Sequence, residues 1–120
     1  MKVPYKEAFR IEQITRKIET YSLNFEHAEG KNKAVVFRSK LGITIQNKEV
    51  LISALIDNLV TSEAIYTKTT RYGDHYLIDF LLTTRVGRSI IRSAWLVNPE
   101  DKYPNLTTAY PIRTKEDIDD

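Results

Sequence analysis

The chain contains no cysteine among its 120 residues. That absence excludes a disulfide scaffold, a thiolate nucleophile and every cysteine-ligated metal site, and it fits a reducing compartment. Any chemistry must rest on oxygen and nitrogen. Long apolar runs are also missing. Nothing approaches the roughly 18 residues that a membrane span requires, and the opening Met-Lys-Val-Pro-Tyr-Lys-Glu is not followed by a signal-peptide apolar region. The expectation is a soluble, cytoplasmic protein with no membrane partner. There is no Walker phosphate loop, no Rossmann glycine fingerprint and no Gly-x-Ser-x-Gly elbow, and neither an Asp-x-Asp nor a helical two-histidine ligand pair occurs. No metal and no cofactor are therefore expected.

What is present suffices for one core. At 120 residues and 42% hydrophobic content, without internal repeats or a low-complexity linker, the chain is expected to form a single domain over residues 1–112. Residues 113–120 read as an acidic, disordered tail. The net charge is only +2, but residues 114–120 hold four acids and one base, which leaves 17 bases against 12 acids, or +5, on the remainder.

The periodicity of the chain changes at its middle. Ile11, Ile14, Ile18 and Tyr21 recur at helical spacing and predict a helix over about residues 10–21 with that stripe buried. A second helix is predicted from Lys31 to Lys40, with Ala34, Phe37 and Leu41 on its buried face and Gly42 as a left-handed stop. Asn47 reads as the N-cap of a third helix to Val60, burying Leu51, Ala54, Leu55 and Leu59. Thereafter Glu63–Thr70, Asp74–Thr84, Arg88–Asn98 and Asn105–Ile112 are β-branched and aromatic segments separated by turn signals, as in an antiparallel meander. The fold class is α+β, with N-terminal helices packed on a roughly four-stranded antiparallel sheet whose other face is partly open. In the last strand Leu106, Thr108 and Tyr110 share a face by alternation. In the preceding strand Arg92, Ala94 and Leu96 oppose Ile91, Ser93, Trp95 and Val97.

Candidate chemistry gathers around the second helix. His27 precedes its start, and Lys31 and Lys33 occupy its first turn, where cations oppose the macrodipole by about 0.3–1 kcal/mol each unless an anion arrives. A solvated lysine face is the alternative reading. Cleaving RNA without a metal needs a proton acceptor for the 2′-hydroxyl, a proton donor for the leaving oxygen and cations for the crowded phosphate. His27, Lys33 and the arginines could supply these. Arg88 and Arg92 share one strand face beside Arg85, and arginine's planar fork suits phosphate. Thr108 and Tyr110 offer hydroxyls. His75, after a hairpin turn, is a secondary candidate. Trp95 is a candidate base-stacking residue, although an indole buries enough apolar area to belong to a core. A metal-dependent nuclease would need carboxylates, and Asp79 with Glu100-Asp101-Lys102 is the nearest pattern.

The order Tyr21-Ser22-Leu23-Asn24, His27, Gly30, Lys33-Ala34, Phe37, Leu41-Gly42-Ile43, Tyr72-Gly73, Asp79, Gly87-Arg88, Arg92, Trp95 and Leu106-Thr107-Thr108-Ala109-Tyr110-Pro111 resembles a family of small uncharacterised bacterial domains. Its distinctive blocks are His-x-x-Gly-x-x-Lys-Ala-x-x-Phe and Leu-x-Thr-Ala-Tyr-Pro. Such domains are similar to the ribonuclease superfamily of barnase, EndoU, the colicin tRNases and RelE. The chain departs from the pattern at Ala28, where a proline often follows the histidine. The resemblance implies a metal-independent endoribonuclease acting as a toxin, in a toxin–antitoxin pair or at the end of a larger secreted toxin, with RNA as substrate and a small antitoxin or immunity protein as partner. The resemblance carries over His27 and Lys33 as a helix-side polar pair and Arg88, Arg92, Thr108 and Tyr110 as sheet-side residues. Taken with the residue chemistry, His27, Lys33, Arg92, Thr108 and Tyr110 are expected to be catalytic and Lys31, Arg88 and Trp95 to bind substrate. A non-catalytic RNA- or protein-binding module on the same fold is the first alternative, and the metal-dependent nuclease the second.

Overall fold

Residues 11–22 form one continuous helix in two registers. In the computed structural model, which describes residues 1–28 and 30–112, Ile11–Lys17 (α1) is α-helical, and Ile18–Ser22 continues it as a π-helical turn in which the Leu23 N–H donates to the Ile18 carbonyl at 3.0 Å. A π turn inserts one residue into the helical repeat. Ile14 and Ile18 are fully buried as expected, but the next inward position passes from Tyr21 to Ser22, and Ile11 stands half exposed at the other end of the stripe. Tyr21 is thereby turned from the core toward the helix that follows.

That helix, Lys31–Leu41 (α2), buries Ala34, Phe37 and Leu41 and stops at Gly42, whose φ of 67° is readily adopted by a residue without a Cβ. The Ile43 N–H reaches back to the Phe37 carbonyl and that of Gly42 to Arg38, closing the helix end. The third helix, Glu49–Thr61 (α3), buries Leu51, Ile52, Leu55 and Leu59, while Ala54 is half-buried. Asn47 does not cap it. It closes a 3-10 turn one step earlier, accepting a hydrogen bond from the Thr44 N–H at 2.7 Å and donating to the Gly42 carbonyl, and this pairing with Thr44 forms a capping box before α3 begins.

Four strands follow, Ile65–Thr70 (β1), Gly73–Thr83 (β2), Arg88–Val97 (β3) and Pro104–Ile112 (β4), paired antiparallel in sequence order. One sheet face is covered by the helices. Tyr76, Ile78, Phe80, Ile91, Trp95, Val97, Leu106 and Ala109 meet Ile14, Ile18, Phe37, Leu41, Leu51, Leu55 and Leu59 in one core. The opposite face carries Leu77, Asp79, Arg92, Ala94 and Leu96.

The β3–β4 register has a β-bulge that alternation did not foresee. Leu106 lies opposite Trp95 but Thr108 opposite Ala94, so Thr107 is the extra residue, and its hydroxyl donates to the Ala94 carbonyl at 3.0 Å. Leu106 therefore faces the core, while Thr108 and Tyr110 stay on the open face. Beyond the bulge, the Gln13 side chain pairs with the outer edge of β4 as a strand would, donating to the Leu106 carbonyl at 2.8 Å and accepting its N–H at 2.9 Å. This fixes α1 against β4 and brings the following turn and α2 to the same edge. The expected acidic tail, residues 113–120, lies outside the described residues.

Candidate functional site

The segment between the π turn and α2 is a chain of short turns. Asn24 accepts the Glu26 N–H at 2.9 Å through its side chain, and the His27 N–H reaches the Asn24 carbonyl at 3.3 Å. The His27 Nδ1 then accepts the Gly30 N–H at 3.0 Å, and the His27 carbonyl accepts that of Lys31 at 2.9 Å. The imidazole thus caps the start of α2, and in its neutral form carries its proton on Nε2. Gly30 is required here by close approach, because a Cβ would stand 2.1 Å from the Tyr21 carbonyl oxygen. Phe25 stacks under Arg38, with 4.9 Å from guanidinium to ring centre, and ties the same loop to α2.

Lys33 extends from the first turn of α2 over the edge of β4. Its ammonium donates to the Tyr21 hydroxyl at 2.5 Å and to the Thr108 hydroxyl at 3.4 Å, and lies 4.3 Å and 5.2 Å from the ring centres of Tyr21 and Tyr110. Among the described residues no carboxylate pairs with it. Tyr21 also packs edge-on against His27, with ring centres 4.8 Å apart. Next to this cluster Arg92 meets Asp79, directly across the β2–β3 ladder, in a bidentate pair, Nε to Oδ1 at 3.0 Å and Nη2 to Oδ2 at 2.9 Å. The hydrogen bond to Asp79 and then its charge raise the Arg92 pKa above its ordinary value, with Tyr110, opposite on β4, adding to the effect.

The structure therefore brings together Lys33, Thr108, Tyr110 and Arg92, from a helix and two strands, with His27 of the preceding loop joined to them through Tyr21. It does not add every sequence candidate. Lys31 is exposed two residues before Lys33, roughly 200° away around the helix. Arg88 shares the open face with Arg92 but stands four residues along β3, roughly 13 Å away at about 3.3 Å per residue. His75 contacts Thr70, with 2.9 Å between Nε2 and the hydroxyl, and is four residues along β2 from Asp79.

Two expectations are corrected. Trp95 is 1% exposed on the helix-covered face, its indole N–H donating to the Ser93 hydroxyl at 3.0 Å, so it is a core residue that a base cannot reach. The carboxylate set for a metal-dependent nuclease is not assembled. Asp79 is engaged by Arg92, whereas Glu100 and Lys102 occupy the β3–β4 turn beyond Val97, five residues further along the strand. No cluster of three or more potential metal ligands forms among the described residues. Two members of the site were missed. Tyr21 was assigned to a buried stripe because a π turn leaves no mark in apolar spacing, and the pairing of Asp79 with Arg92 depends on strand register. Tyr21, Asp79 and Arg92 all stand among the residues that carry the resemblance, which was the available signal.

A helix-covered antiparallel meander with a cationic, hydroxyl-rich cluster at the β4 edge of its open face defines the class of this protein. The chain belongs to the family described as Domain of unknown function (DUF6883), whose model matches residues 2–113. No curated protein matches it in sequence. Among solved structures, it is similar to a chain of the contact-dependent growth inhibition toxin–immunity protein complex from Klebsiella pneumoniae 342, at 16% identity and a TM-score of 0.64, over 86% of this chain and 99% of that one. At that identity the likeness establishes a shared fold. No helix among the described residues is long and apolar enough to cross a membrane.

Proposed function

We propose that the chain is a toxin domain that cleaves RNA without a metal, at the cluster formed by His27, Lys33, Arg92, Thr108 and Tyr110. The observation that carries this reading is Lys33, which reaches Thr108 and Tyr110 beside Arg92 and adjoins His27 through Tyr21, its ammonium held against neutral hydroxyls and rings while no described carboxylate balances it. Such a cation gains more from an incoming phosphate than one already paired. Once Nδ1 lets go of the Gly30 N–H and carries the ring proton, His27 Nε2 takes the proton of the 2′-hydroxyl as its oxygen attacks phosphorus, or as imidazolium gives one to the 5′-oxygen as its bond to phosphorus breaks. In either role water serves the other end. Lys33 holds the non-bridging oxygens, and Arg92, released in part from Asp79, adds charge stabilisation as the phosphorane forms. Thr108 and Tyr110 orient the substrate, and Arg88 contacts the strand further along. The fold shared with a chain of a toxin–immunity complex supports the toxin reading, and with it a small acidic protein that covers the basic face.

The test is incubation of purified protein with total RNA in excess EDTA, beside folded His27→Ala and Lys33→Ala variants. The expected result is cleavage to 2′,3′-cyclic phosphate ends by wild type, lost in both variants. Activity that requires Mg2+ overturns the mechanism, and RNA bound but intact in every lane favours the non-catalytic binding module.

A further inference from the structure

Both groups that carry the proposed chemistry lean on one residue outside it. We infer that Tyr21 is the positioning residue of the site, setting His27 and Lys33 relative to each other, an inference that rests on the reading of the cluster as a phosphate-cleaving site. Lys33 and His27 both meet its side chain, which the Lys17 ammonium also approaches at 5.3 Å from the ring centre. Its hydroxyl accepts the Lys33 ammonium at 2.5 Å, its ring face lies 4.3 Å from that same charge, and its ring packs edge-on against the His27 imidazole at 4.8 Å. Its backbone carbonyl is the surface against which Gly30, and with it the start of α2, is seated.

The helical register explains why this side chain is available. Continued as an α-helix, α1 would carry Tyr21 inward in line with Ile14 and Ile18. The π turn sends Ser22 inward instead and leaves Tyr21 half-buried at the rim, between the loop that holds His27 and the helix that holds Lys33. Lys33 is a long side chain with several rotatable bonds, and a hydroxyl acceptor combined with an aromatic face restricts where its charge can sit. Tyr21 touches neither the reacting hydroxyl nor the leaving oxygen in this scheme. It acts through its two neighbours: the hydroxyl serves Lys33 alone, whereas the ring serves His27 and also lies beside the Lys33 charge.

Tyr21→Phe and Tyr21→Leu divide these roles. In NMR spectra of the free protein, the ring-current displacement of the His27 imidazole protons should persist in Tyr21→Phe and vanish in Tyr21→Leu. In cleavage assays Tyr21→Phe should weaken phosphate holding, seen as a roughly tenfold rise in KM with little change in the pH profile. Tyr21→Leu should lower kcat by roughly 100-fold, the scale expected of about 1 Å of misplacement. Cleavage kinetics unchanged in Tyr21→Phe and Tyr21→Leu would overturn the inference, whatever the His27 shifts do. If wild type fails to cleave RNA, the ribonuclease reading falls, and exchange protection of the Gly30 amide, bonded to the His27 imidazole, decides by its loss or retention in Tyr21→Leu whether Tyr21 sets that ring.

Discussion

Two cations share the candidate site and differ in what balances them. Arg92 is held by both oxygens of Asp79 across the ladder, with each side chain about one-third exposed, whereas Lys33 is surrounded by the hydroxyls of Tyr21 and Thr108 and by two aromatic rings. Partly exposed ion pairs contribute little to stability, so the Asp79–Arg92 pair is better understood as holding a planar donor fork in a fixed orientation. A few residues away, Ser22 presents the opposite situation. It is fully buried, and its hydroxyl has no hydrogen-bond partner among the described residues. A buried polar group left unpaired costs on the order of 1–3 kcal/mol. Ser22→Ala keeps the volume nearly unchanged and removes that group, and alanine is also the better helix former. The variant should be more stable by on the order of 1 kcal/mol in urea unfolding. A clear loss of stability would show that the hydroxyl has a partner, such as a trapped water.

At the scale of elements, the site depends on how the end of one helix meets the start of the next. Gly30 is pressed so closely on the Tyr21 carbonyl that Gly30→Ala must push α2 away from the π turn. That should cost roughly 1–3 kcal/mol in stability and shift the NMR signals of both His27 and Tyr21, because the imidazole cap is formed with the Gly30 N–H. Unperturbed His27 signals in a destabilised Gly30→Ala variant would mean that the cap does not depend on this seating. The same junction marks the boundary of what sequence patterning could deliver. α2, from Lys31 to its stop at Gly42, was legible because each signal there is local: a three- and four-residue apolar rhythm, then a glycine. The meander was legible because β-branched runs alternate with turn residues. Tyr21 was misplaced because a π turn inserts a residue without altering composition, and Leu106 because a bulge does the same in a strand. Both irregularities lie at the site. His27, Lys33, Thr108 and Tyr110 could be singled out by chemical type, but their meeting depends on those two insertions and on the edge contact of Gln13 with β4, none of which has a local signature.

At the scale of the whole molecule, the helices occupy one face and one edge of the sheet, which leaves the cations of the other face to define what approaches it. Arg88 and Arg92 lie along β3 and Lys33 reaches over the β4 edge, on a chain whose residues 1–113 carry a net charge of +5. A single strand of RNA laid across this face would displace about one counterion-equivalent per phosphate neutralised, so that log K falls with log salt by about 0.7 for each such contact. Binding can be isolated from cleavage with a 2′-O-methyl oligonucleotide, which lacks the attacking hydroxyl. Lys33→Ala should then flatten the salt dependence by about 0.7 of slope. Asp79→Asn should steepen it by up to about the same amount, because a neutral amide no longer balances Arg92 and the guanidinium becomes available to a second phosphate. The two substitutions act in opposite directions on one measured slope, which a general loss of folding cannot imitate. Slopes identical in wild type, Lys33→Ala and Asp79→Asn would place the nucleic acid somewhere other than the open face, and with it the proposed site.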